Sequence, residues 1–248
     1  MVVKSDVEEH PKGTETGVEE QGSPYALLFE LEGVAIEARK AEFEVLQSLL
    51  REHKVDVTAH HFSKHCLNTS PRHYLPDLLE LLGARKISAN KLAEEIDSGM
   101  ALYFSSSEAV LRSTLQAVLA AAAERDMPLA MLTAIKPSTA ESLMKQLGLD
   151  QWNVQLFDFE RQDRVFPRAD SWLKMAKSLS RTPRQCLALA GSMVSSKSAL
   201  SAGMRCVVIP DEFTLFQDFG GADVVVDSDA ELDPNELLDM LCPLERPF

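Results

Sequence analysis

Residues 27–37 read LLFELEGVAIE: an apolar run, then Glu30 and Glu32 on either side of Leu31, then Gly33. An apolar run of this kind is how a strand buried on both faces of a parallel sheet reads, and acids at its carboxyl end lie where α/β folds place their ligands. Glu30 and Glu32 are therefore the first candidates for chemistry. Glutamate is an unusual choice there, because nucleophilic attack and tight metal binding favour aspartate, whose shorter side chain is held more rigidly.

Working outward, further short apolar runs follow: PLAMLT (128–133), VQLF (154–157), CLALA (186–190), RCVVIP (205–210) and ADVVV (222–226). Each is followed by polar or glycine-containing residues. Between them lie helical patterns: Leu111, Leu115, Val118, Leu119 and Ala122 recur at three- and four-residue steps, as do apolar positions in 138–147, 170–179 and 195–202. Strands alternating with single helices predict an α/β fold, a Rossmann-like parallel sheet with helices on both faces.

Residues 38–106 break the alternation, with helix-like segments near 39–53, 58–66, 74–83 and 88–104 and no strand pattern. About seventy residues of helix on the loop leaving the acidic strand predict an inserted all-helical cap over the strand ends. The expected organisation is an acidic disordered tail over 1–23, a core from 24–37 and 107–248, and the cap over 38–106.

The chain's 248 residues carry 25 Lys plus Arg against 38 Asp plus Glu, a net charge of −13 that disfavours nucleic acid and anionic membranes as partners. Residues 1–22 contain six acids and two lysines and lack aromatics, as a solvated tail does. Apolar runs such as VLAAAA (118–123) are far shorter than the roughly 20 residues that span a bilayer. Cys66, Cys186, Cys206 and Cys242 are scattered without a CxxC pair, which points to reduced thiols and a cytoplasmic location.

The order of these pieces resembles the haloacid dehalogenase-like hydrolase superfamily, in its β-phosphoglucomutase and phosphoglycolate phosphatase-like branch with a helical cap. The likeness covers nearly all of residues 25–232. That family's first strand ends Phe-Asp-x-Asp-Gly-Val, where this chain has FELEGV (29–34); its second motif is a Ser or Thr ending the next strand, matched by Thr133. Its third motif, Lys-Pro-x-Pro-Asp, corresponds to FPRAD (166–170), with Phe166 in the lysine's place and Pro167 and Asp170 retained. Its fourth, Glu-Asp-Ser before a helix, corresponds to AGS (190–192), with Gly191 where a metal acid stands.

The resemblance implies a nucleophile at Glu30, a general acid and base at Glu32, and a phosphate donor at Thr133, with the lysine and the magnesium acids gone. One extra methylene displaces a carboxylate by roughly an ångström, which can cost about 100-fold in rate. Replacing the lysine by Phe166 removes roughly 3 kcal/mol or more of electrostatic stabilisation. No cofactor is expected, since the family's Mg²⁺ has lost its ligands. The favoured expectation is an impaired or inactive phosphatase homologue with a binding or scaffolding role, holding a protein partner or small ligand between cap and core. The alternatives are an active phosphomonoester hydrolase that uses Glu30, Glu32 and Thr133, and metal-independent ligand binding without turnover. In the first of these Lys136 could serve as a replacement cation. Gly33, Lys136 and Ser192 are the expected ligand-binding residues.

HHFSKHC (60–66) sets His61 and His65 four apart, with His60 and Cys66 beside them, a spacing compatible with a metal pair but lacking further ligands. An ordinary partly exposed helix face reads the same way, and no metal is assigned. No Ser-x-x-Lys, Walker-type or GxGxxG motif occurs; the residue three before Lys197 is Val194.

Overall fold

The computed structural model describes residues 22–159, 165–226 and 233–243, and the acidic segment up to residue 21 lies outside these. Ser23, assigned to the tail from sequence, is fastened to the core: its N–H donates to the Asp126 carbonyl and its own carbonyl accepts from Arg181 at 2.8 Å.

Six parallel strands form one sheet in the order β3-β2-β1-β4-β5-β6. They are β1 (Ala26–Glu30), β2 (Leu129–Thr133), β3 (Gln155–Asp158), β4 (Cys186–Ala190), β5 (Arg205–Val208) and β6 (Val224–Val225). Strand alternation divides the side chains cleanly. Leu27, Phe29, Leu129, Met131, Leu187, Leu189 and Val207 enter one cluster, and Ala26, Leu28, Ala130, Leu132, Ala188, Ala190 and Val208 enter the other. The second face is rich in alanine, so α7 (Ala169–Ser178) and α8 (Met193–Ser201) lie close upon it. Trp172 is wholly buried between them, its indole N–H donating to Ser198 Oγ at 2.8 Å.

Chain direction across the sheet reverses between β1 and β4. The chain runs from β1 outward to β3, then returns to β4 and proceeds to β6. The crevice at this reversal is where open α/β sheets bind ligands, and Glu30 and Gly191 stand on its two sides.

Four helices intervene between β1 and α5 (Ser113–Ala123): α1 (Ala38–Glu52), α2 (Ala59–His65), α3 (Pro71–Leu81) and α4 (Ala89–Ser105). Leu46, Leu50, Leu75, Leu78, Leu92 and Ile96 form their buried seam. Thr58 accepts from the His61 N–H and Ser88 from the Lys91 N–H, capping α2 and α4. Two of the contacts that press this cap onto the core are aromatic packing and a pair of reciprocal hydrogen bonds. Phe213, in the loop after β5, lies against Phe43 and Phe62 with ring centroids 5.4 and 5.1 Å away. Asn68 and Phe166 exchange hydrogen bonds, the Phe166 N–H to the Asn68 carbonyl at 2.9 Å and Asn68 Nδ2 to the Phe166 carbonyl at 3.0 Å.

Two helices complete the described chain: α6 (Pro137–Gln146), after β2, and α9 (Pro234–Leu241), which the periodicity reading did not register. The start of α9 is written locally, with Asp233 capping the N–H groups of Asn235 and Glu236 and proline at the first helical position. Its single apolar stripe, Leu237, Leu238 and Leu241, is too short for a periodic signal. Among the described residues no helix is long and apolar enough to cross a membrane.

The aromatic seam yields a prediction. Phe213→Ala should cost about 3–5 kcal/mol of stability, measured by chemical denaturation, and should speed proteolytic cleavage within residues 38–105.

Candidate active site and its internal ligands

Because β1 is buried along its whole length, its last residue carries a carboxylate into the crevice floor, where Glu30 is only 5% exposed. Its Oε1 accepts from the Gly191 N–H at 2.9 Å. Burial pushes the carboxyl above the usual range, against the opposing pull of the Arg39 charge, the Ser195 hydroxyl and the Gly191 amide; the Glu32 charge adds to the rise. Ser195 Oγ is near the carboxylate but outside hydrogen-bonding geometry.

Beyond Glu30 the chain makes one wide turn, Leu31–Ala35, closed by the Ile36 N–H on the Leu31 carbonyl. That turn carries Glu32 across to the end of β2, where Oε1 accepts from Thr133 Oγ1 at 3.0 Å and from the Ala134 N–H at 2.8 Å. Thr133 is fully buried and its hydroxyl oxygen accepts from the Ile135 N–H, so its one proton is committed to Glu32. The donors that would face an incoming anion are thus engaged by a carboxylate of the chain itself.

On the far side, the loops after β1 and β4 are in backbone contact. A Cβ placed on Gly191 would fall 2.1 Å from the Gly33 carbonyl oxygen and 2.7 Å from its carbon. Both obstacles are main chain, so residue 191 tolerates no side chain without moving a strand-end loop. A Cβ on Gly33 would lie 2.7 Å from Arg39 Nη2 and 3.0 Å from Glu30 Oε2. Arg39, near the start of α1, closes the remaining space. Its Nη1 lies 2.6 Å from Asp211 Oδ2, 3.0 Å from the Gly191 carbonyl and 3.3 Å from the Gly33 carbonyl. Asp211 is itself held in place, since Oδ1 accepts from the Phe213 N–H and from Thr214 Oγ1.

The family's magnesium does not fit these residues. Mg²⁺ demands near-octahedral oxygen ligands at roughly 2.0–2.1 Å. Position 191 can offer no carboxylate, and a guanidinium stands against the carbonyls of Gly33 and Gly191 and the carboxylate of Asp211.

The remaining sequence candidates are dispersed. Lys136 is exposed at the residue preceding α6, and no ion pair links it to another described residue. Ser192 is buried as the cap of α8, accepting from the Ser195 N–H at 3.2 Å. Phe166 packs beside Phe159, with ring centroids 6.2 Å apart, and its backbone is tied to Asn68. His61 is spent on capping α2, and burial raises the Cys66 thiol well above its ordinary value. No group of three or more metal-ligating side chains occurs among the described residues. Arg39 and Asp211 were missed from sequence. Arg39 reads as an ordinary residue of a polar helix start, while the Pro-Asp pair directly after an apolar run at 210–211 is a usable signal for a strand-end acid.

No family model matches the chain. YhcW of Bacillus subtilis strain 168, whose name assigns it provisionally to the phosphatases, is 28% identical over 220 residues, covering 87% of this chain and 97% of that protein. Among solved structures, CbbY from Rhodobacter sphaeroides in complex with phosphate superposes with a TM-score of 0.67 at 19% identity, covering 86% of this chain and 95% of that one. β-Phosphoglucomutase from Clostridium difficile gives a TM-score of 0.65 at 19% identity, covering 86% and 92%. With its parallel sheet, four-helix insertion after β1 and sequence likeness along nearly the whole length of YhcW, the chain shares the fold of, and is similar in sequence to, proteins of the haloacid dehalogenase-like superfamily, in the branch with a helical cap.

Proposed function

We propose that the protein is a non-catalytic member of its superfamily, kept for binding or scaffolding rather than phosphoryl transfer. The observation that carries this reading is the seat of Glu32, whose carboxylate takes the Thr133 hydroxyl and the Ala134 amide. Phosphoryl transfer is catalysed by positioning and by preorganised donors and cations at the charge that develops. Here those donors are spent internally, the lysine position holds Phe166, and Glu30 is buried against an amide with no open approach. A nucleophilic carboxylate must be ionised and accessible, and Glu30 is driven by burial towards its neutral form.

Binding capacity lies beside the crevice. A cleft of about 610 Å³ opens where the start of α1 meets the loop after β5 and the end of β6, with Lys40 and Arg112 among its polar walls and Leu215 and Val225 as exposed apolar surface. Its size suits a small ligand or the side chains of a docked segment.

Three measurements test the proposal. Purified protein given p-nitrophenyl phosphate and Mg²⁺ should turn over no faster than the Glu30→Gln variant; a rate that is clearly higher, and is lost in that variant, overturns the reading. Supplying the missing acid through Gly191→Asp should unfold or strongly destabilise the protein by collision with Gly33 and yield no Mg²⁺-dependent turnover. For pH, Glu30 has a raised folded-state value, so its contribution is favourable below the unfolded value of 4.5 and is lost as pH rises through the folded one. Glu30→Gln should therefore melt higher than the wild type at pH 8, with the gap narrowing as pH falls towards 4.5, followed by thermal denaturation.

A further inference from the structure

We propose that the oxygens of Gly33, Gly191 and Asp211 form a cation site whose resident ion is the chain's own Arg39 guanidinium. The inference stands on the contacts of Arg39 and is independent of how Glu32 is interpreted. Two main-chain carbonyls and one carboxylate converge on a single nitrogen, Nη1, at 3.3, 3.0 and 2.6 Å. They come from three strand-end loops, after β1, β4 and β5, that only the fold brings together. The side chain of Arg39 is 11% exposed and that of Asp211 22%, so the pair is largely withdrawn from water.

Carbonyl and carboxylate oxygens packed this closely repel one another unless a positive charge stands among them. Glu30, buried next door, adds a further potential negative charge, and Arg39 is the cation that opposes it. Gly33 and Gly191 approach so closely that no side chain separates their carbonyls from the guanidinium. Because the arginine is covalently part of α1, the same contact pins the first cap helix to the core. A metal would leave that helix free to move with the cap; a tethered cation holds it.

The test uses the full-length protein in thermal denaturation, with EDTA, Mg²⁺ or Ca²⁺. Calcium is included because its flexible coordination accepts mixed carbonyl and carboxylate oxygens. The wild-type melting temperature should be the same in all three. Arg39→Met, which keeps the stem and loses the charge, should melt about 6–20 °C lower, whereas Arg39→Lys should keep most of the wild-type value. Arg39→Ala vacates the nitrogen's place, so a millimolar divalent ion should raise its melting temperature towards the wild type. Should Arg39→Ala not fold, Asp211→Asn, which keeps the arginine, should still lower the melting temperature. The proposal is overturned by an Arg39→Met or Asp211→Asn variant as stable as the wild type, or by a folded Arg39→Ala whose melting ignores both ions. Phosphatase turnover in any variant would count against the non-catalytic reading and leave this one standing.

Discussion

The contact between the backbones of Gly33 and Gly191 is the constraint around which the crevice is organised. Two parallel strands at a topological switch point ordinarily leave an opening between the loops that follow them. Here the loops meet, and a Cβ at residue 191 would sit at 2.1 Å from a carbonyl oxygen. Closure brings the Gly191 N–H onto Glu30 and the Gly191 carbonyl onto Arg39. The charged groups of the crevice accordingly look inward, each satisfied by the chain.

Closure extends to the cap. Three separate ties hold the helical insertion against the core: the Arg39 and Asp211 pair, the Phe213 ring against Phe43 and Phe62, and the reciprocal bonds of Asn68 with Phe166. The residue standing in the family's lysine position therefore serves the cap, through its backbone. The Phe166 side chain packs beside Phe159 against the core cluster beneath α7 and α8, a structural use of a place that resemblance reserves for catalysis.

Much of this was legible from sequence, for identifiable reasons. All six strands read as apolar runs and were located within two residues of their observed ends, the signal being strongest for β1, β2, β4 and β5, which are buried on both faces. Glu30, Glu32 and Thr133 were found because each sits at the end of such a run. Arg39 and Asp211 were not, since their meaning lies in a pairing 172 residues apart that only the strand order creates. The pairing of Glu32 with Thr133 was likewise invisible: both residues were singled out as facing a ligand, and nothing in their spacing shows that they face each other.

That pairing has a consequence for any phosphate in solution. A free anion seeking the Thr133 hydroxyl and the Ala134 amide competes with a carboxylate on the same polypeptide, held in place by a closed turn. Tethering gives such a competitor an effective concentration on the order of millimolar or above, and it never diffuses away. The Thr133 hydroxyl and the Ala134 amide are in this sense occupied by the chain's own carboxylate, a form of occupancy that dilution cannot reverse.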